Sequence, residues 1–220
     1  ADGHHRYETS LNYMNAQNQK SKMSPDNPKN FVMMCLIEIH DPGLIILPYH
    51  RILRNLSKLQ VTNMMGKISD IFERESFRLD LNNNPVMAIE SLLKSKGGNQ
   101  SSIGLLEYGS ETAHILRRKT IEKTESTIDQ CITQILGKKI IEPVVGSQQE
   151  AVENGLITYT HDSKELESLV LTGTWDFGFV LPPLSLDIFE SVVRSGERLP
   201  IKSTYFSPKL PTGLVINKLA

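Results

Sequence analysis

Apolar residues in this 220-residue chain come in short runs of two different periods, set between turn-forming residues and ordered by no regular repeat. That pattern argues against a solenoid and against the alternating strand–helix series of a doubly wound sheet. It points to an α+β fold, with mixed sheets and flanking helices. Helical spacing shows at Tyr7, Leu11 and Met14, which fall at i, i+4 and i+7 of a helix over residues 7–17. It returns at Ile128, Cys131, Ile132 and Ile135, on one face of a helix over 127–136 that Gly137 is expected to stop. Residues 31–39 form a continuous apolar run, the signature of a buried strand. Asp41-Pro42-Gly43 then makes a turn and 44–47 a second strand, so a hairpin ending on Pro48-Tyr49-His50-Arg51 is expected.

Further along, the pattern predicts a short helix over 68–72, a strand over 77–81 and a helix over 87–93. Strands over 103–108 and 112–118 follow, joined at Gly109-Ser110. Asp162 is placed to cap a helix that Gly173 closes, 175–181 reads as a strand, and 185–195 as a helix ended by Gly196. Residues 214–219 read as a last strand. His40 and His114 fit strand-edge positions.

Charge and cysteine content narrow the partners. Twenty-four basic residues against 25 acidic ones leave a formal net charge of -1, which weighs against nucleic acid, whose sequence-independent binding rests on many neutralised phosphates. No apolar run approaches the ~18 residues of a membrane span. Cys35 and Cys131 both lie in apolar runs, which suggests buried thiols in a reducing, cytoplasmic compartment. The sequence contains no Walker A loop, dinucleotide Gly-x-Gly-x-x-Gly, His-Glu-x-x-His, Cys-x-x-Cys or Gly-x-Ser-x-Gly motif.

Three segments could carry chemistry. Asp2-Gly3-His4-His5-Arg6 stands at the front of the first helix, where free N–H groups and the dipole favour an anion. Gly3 permits a tight turn and Arg6 can pair bidentately with phosphate oxygens. A carboxylate at Asp2 repels phosphate unless it holds Mg²⁺ or takes a substrate proton. The plain alternative is a polar helix start with surface histidines. The second segment, 202–213, sets Lys202, Ser203, Thr204 and Lys209 in a loop able to surround an anion, or in a solvated linker. His50-Arg51 is the third, an isolated pair equally open to a structural role.

These motifs occur together in a known pattern. Asp2-Gly3-His4-His5-Arg6-Tyr7-Glu8, Leu47-Pro48-Tyr49-His50-Arg51, Thr158-Tyr159-Thr160-His161-Asp162 and Lys202-Ser203-Thr204-Tyr205-Phe206-Ser207-Pro208-Lys209 appear in this order. The series resembles the family called domain of unknown function 1015, along the whole chain. The likeness implies a protein roughly twice this length, of which the chain is the carboxy-terminal half, and its start at Ala1 on a motif agrees. One departure is Val180-Leu181-Pro182-Pro183, where the family more often carries Asn-Pro-Thr. The Asp-Gly-His-His-Arg segment also resembles the phosphate-binding motif of ParB-like domains, including the free serine kinases.

By that resemblance, residues 1–60 complete a ParB-like nucleotide-binding core with the missing amino-terminal half, and 61–220 form an α+β carboxy-terminal domain whose last loop returns to the site. Gly3, His4, His5 and Arg6 would hold the phosphates of ATP or ADP, with His50, Arg51, Lys202, Ser203, Thr204 and Lys209 as further binding residues. Asp2 and His5 would be the catalytic candidates, with Asp2 on Mg²⁺. The expected activity is phosphoryl transfer to a small hydroxylated metabolite such as free serine. The alternative is a non-catalytic, nucleotide-regulated module. Nucleotide and small-molecule substrate are the expected partners, with a homo-oligomer as an option, and the missing half is expected to pair with the 31–39 sheet.

Overall fold

A computed structural model describes residues 3–79, 85–95, 101–119, 126–211 and 213–219. The chain divides into two compact units, one of residues 1–45 and 206–220, the other of residues 46–205.

The first unit begins with helix α1 (His4–Lys20), followed by a 3₁₀ turn at Pro28–Asn30 in which the Asn27 side chain accepts from the Lys29 N–H. The expected strand over 31–39 does not form. That segment has no sheet ladder, and Phe31, Met33, Met34 and Leu36 are exposed, Leu36 at 88%. An apolar run becomes a buried strand only when neighbours cover both its faces, and among the described residues none does. Cys35, within it, is exposed rather than buried. Strand β1 (Ile45–Leu47) forms as expected but pairs with the late strand Tyr205–Ser207 in a two-stranded sheet, so the predicted hairpin is absent. Residues 214–219 form no strand, and Leu214 and Ile216 are exposed.

The second unit is built on a six-stranded sheet. Its strands are β2 (His50–Leu53), β3 (Phe72–Arg78), β4 (Ser102–Glu107), β5 (Thr112–Arg118), β6 (Ile157–Thr160) and β7 (Phe177–Val180), in the order β3-β5-β4-β7-β2-β6. Every pairing in this sheet is antiparallel. His114 on β5 is therefore interior to the sheet, not at an edge, and is buried. Its Nδ1 shares a hydrogen bond with Ser76 Oγ at 2.9 Å, and burial lowers its pKa.

Helices cover both faces. On one lie α2 (Lys58–Ile71) and the bent segment α4 (Thr127–Gln130), α5 (Ile132–Gln134), a π turn (Ile135–Ile141) and α6 (Glu142–Val145). Their Met64, Ile68, Ile132, Ile135 and Ile140 pack with Leu53, Ile103, Leu105 and Phe179 of the sheet. On the other face lie α3 (Pro85–Ser95) and, after the short α7 (Gln148–Glu153), helix α8 (Ser163–Leu171). Val86, Ile89, Leu166 and Val170 pack there with Ile52, Leu106, Ile115 and Val180. Helix α9 (Leu186–Arg194) follows, and β8 is the Tyr205–Ser207 strand that pairs with β1.

Two helices differ from expectation for local reasons. Helix α2 starts ten residues before the predicted 68–72 helix, because Ser57 and Gln60 form a reciprocal capping box. Gly137 does not end a helix. It sits buried inside the π turn, where a β-carbon would stand 2.8 Å from Gln148 Nε2, so its small size serves packing. Among the described residues no helix is long and apolar enough to cross a membrane.

Gly104 on β4 shows how closely α3 approaches the sheet. A β-carbon there would lie 2.1 Å from Ile89 Cγ2 and 3.2 Å from Val180 Cβ. Gly104→Ala is expected to destabilise the protein by about 1–3 kcal/mol, since a packed layer must move aside. Urea unfolding should show a lower midpoint at unchanged slope; an unchanged midpoint would contradict the packing described.

Candidate functional site

The two units each carry a distinct arrangement of polar groups. In the first unit, Gly3 is the N-cap of α1 in the left-handed region, at φ 77° and ψ 25°. Its carbonyl accepts from the N–H groups of Arg6 at 2.9 Å and Tyr7 at 3.2 Å. The backbone N–H groups of His4 and His5 have no partner among the described residues, and the first turn holds no acidic side chain. The Arg6 guanidinium folds back over this turn. A β-carbon at Gly3 would stand 2.6 Å from Arg6 Nη2 and 2.8 Å from Nε, so only glycine leaves it that place. The His4 and His5 rings lie 4.0 Å apart, and His5 Nδ1 is 3.8 Å from Glu8 Oε2. His4, His5 and Arg6 are exposed and Gly3 is half-buried. Asp2 lies outside the described residues, and among those described no group of three or more His, Cys, Asp or Glu side chains could hold a metal ion.

In the second unit, alternation along β2 separates His50 from Arg51. Arg51 faces the α2 layer, opposite Tyr159 and Phe179 on the neighbouring strands. It is fully buried, and burial lowers its pKa to about 10. Nη1 donates to the Tyr49 carbonyl at 2.5 Å, the guanidinium carbon lies 5.6 Å from the centre of the Tyr159 ring, and Nε and Nη2 have no hydrogen-bond partner among the described residues. Burial in turn raises the Tyr159 pKa.

His50 faces the opposite layer and is fully buried. Its Nδ1 accepts from the Leu181 N–H at 3.1 Å, so the neutral ring carries its proton on Nε2. Nε2 lies 3.4 Å from Ser163 Oγ, and Ser163 in turn donates a short hydrogen bond to Glu90 Oε1. The result is a chain running His50, Ser163, Glu90, contributed by β2, α8 and α3. Desolvation, then the positive charge of Arg51 and then His161, lower the His50 pKa to about 4, against a raising effect of Asp162. His50 is therefore neutral near pH 7. Its 3.8 Å approach to Glu90 is not an ion pair at that pH.

This chain forms the polar end of a cavity of about 470 Å³, lined entirely by residues of the second unit. Leu47, Pro48, Leu93, Leu181, Pro182 and Leu184 supply most of its wall, and Lys94, His161 and Ser185 complete the polar groups. Beside it the His161 ring stacks on Tyr205 at 3.9 Å and 6°, with Tyr49 edge-on to both. Concave apolar walls with a few convergent polar groups suit a small organic ligand.

The remaining sequence candidates separate. Lys202, with φ 54°, lays its Nζ 5.0 Å from the centre of the Tyr49 ring. Ser203 is buried, donating to the Pro200 carbonyl at 2.7 Å and lying 3.4 Å from Thr133 Oγ1. Thr204 is half-buried in the same unit, whereas Lys209 belongs to the first unit and is exposed. Sequence reasoning found His50 but missed Glu90, Lys94 and Ser163. Ser163 carried a local signal only as the start of a helix, and Glu90 and Lys94 carried none.

The model of a family described as "Protein of unknown function (DUF1015)" matches residues 1–140. Among curated proteins no match is found. A conserved hypothetical protein from Pyrococcus furiosus is similar in structure with a TM-score of 0.47 and 13% identity, covering 80% of this chain and 61% of that one. A mutant free serine kinase in complex with AMP gives 0.44 and 13%, covering 77% and 56%, and the same kinase with ADP gives 0.44 and 12%, covering 78% and 57%. The chain thus spans 56–61% of the length of these structures.

The desolvated His50 makes stability depend on pH. Its folded pKa lies below the ordinary 6.5, so the contribution is fully present above about pH 6.5 and is lost as pH falls towards about 4. The shift corresponds to roughly 3 kcal/mol. Urea titrations between pH 7 and 4 should show wild type losing more stability than His50→Gln by up to that amount. Parallel profiles would contradict a neutral buried imidazole.

Proposed function

The chain belongs to the DUF1015 family, and we propose that it binds the phosphates of a nucleotide at its Gly3–Arg6 turn and serves phosphoryl transfer to a small hydroxylated metabolite such as free serine. The observation that carries this reading is the placement of the Arg6 guanidinium over Gly3, beside two helix-start N–H groups that have no partner among the described residues. Donors on a positive helix end and a planar guanidinium form a matched set for phosphate oxygens. Such a site performs the main task of phosphoryl transfer, which is stabilising charge on the transferred group.

His4 and His5 add imidazole donors to the same turn. In this proposal Asp2, which precedes it, holds Mg²⁺ or orients the acceptor hydroxyl, and the ParB-like reading of the motif is part of the same proposal. A nucleotide-regulated module without chemistry would share the binding site but yield no product.

Calorimetric titration with ADP, ATP and CTP, with and without Mg²⁺, tests the binding. At least one nucleotide should bind, and Arg6→Ala should weaken it about tenfold or more through loss of a charge-assisted pair. Absence of binding to all three, or unchanged binding by Arg6→Ala, would overturn the proposal. Where binding holds, ADP release over a panel of hydroxylated amino acids and sugars separates the kinase from the module.

A further inference from the structure

Helix α3 presents Glu90 and Lys94 to the cavity one turn apart. Glutamate four residues before lysine is the order that ordinarily closes an ion pair along a helix. Here it does not. Ser163 engages the Glu90 carboxylate by its short hydrogen bond, and Lys94 has no hydrogen bond or ion pair among the described residues. A carboxylate and an ammonium, their β-carbons about 5–6 Å apart by helix geometry, therefore face an apolar chamber without neutralising one another. His50 adds no charge of its own at neutral pH.

We propose that this cavity binds an α-amino acid with a large apolar side chain, held as its zwitterion. The ligand ammonium is accepted by Glu90 and Ser163 Oγ, its carboxylate is met by Lys94, and its side chain occupies the space between Leu47, Leu93, Leu181 and Pro182. Both charges are required. A simple acid would face the Glu90 carboxylate, and a simple amine would leave Lys94 unmatched. Size follows from the volume, since about 470 Å³ exceeds what a small side chain fills. The site lies wholly within the second unit.

Calorimetry on the full 220-residue chain provides the test, with L-phenylalanine and L-leucine as probes. Phenethylamine, 3-phenylpropionate and L-serine serve as ligands each lacking one feature. The two apolar amino acids should bind, and each of the other three should bind at least about tenfold more weakly, for want of a charge-assisted contact or the apolar side chain. Glu90→Gln and Lys94→Met should each weaken L-phenylalanine by about tenfold. No binding of either amino acid, equal binding of phenethylamine, 3-phenylpropionate or L-serine, or full affinity in folded Lys94→Met would overturn the proposal. Lys94 is exposed, so its variant keeps the test decisive should Glu90→Gln fail to fold.

Discussion

Strand β2 lies inside an antiparallel sheet whose two faces are both buried, and this placement governs the rest of the second unit. It pairs with β6 on one side and β7 on the other, so its four residues have no route to solvent along the sheet. Alternation then sends His50 and Ile52 to the α3–α8 layer, and Arg51 and Leu53 to the α2 layer. Two polar side chains adjacent in sequence are thereby committed to different environments. His50 reaches a cavity, whereas Arg51 is held among Tyr49, Tyr159 and Cys131.

Burial sets the chemistry on each side. Desolvation favours the uncharged imidazole, and the Leu181 N–H fixes which nitrogen keeps the proton. His50 can thus donate through Nε2 towards Ser163, which donates onward to Glu90, so the chain ends on a carboxylate at the cavity wall. Arg51 stays charged near pH 7 despite burial, because its pKa of about 10 leaves a wide margin. Its partial pairing is costly, and the Tyr159 ring and Tyr49 carbonyl offset that cost only in part.

Much of the fold could be read locally where a terminus or turn carries its own chemistry. Asp162 caps α8 through the N–H groups of Lys164 and Glu165, and Gly173 and Gly196 take positive φ after their helices, as residue type suggested. Strand β5 matches its predicted span, and the start of α1 falls on the Gly3 turn. An apolar run does not by itself make a strand: at 31–39 and 214–219 no neighbour among the described residues covers it and no ladder forms. Gly137 likewise answers to Gln148 packed against it and not to a helix end.

By itself, then, the sequence determined the α+β class and the ends of α8 and α9. Each of these depends on backbone preferences and on neighbours within a few positions. Only the tertiary structure decided that His50, Glu90, Lys94 and Ser163 share a cavity and that Arg51 does not. Glu90 and Ser163 are 73 residues apart and meet because α3 and α8 pack side by side on one face of the sheet. That juxtaposition is set by which strands lie between which helices, and nothing in the local pattern around Glu90 or Lys94 encodes it.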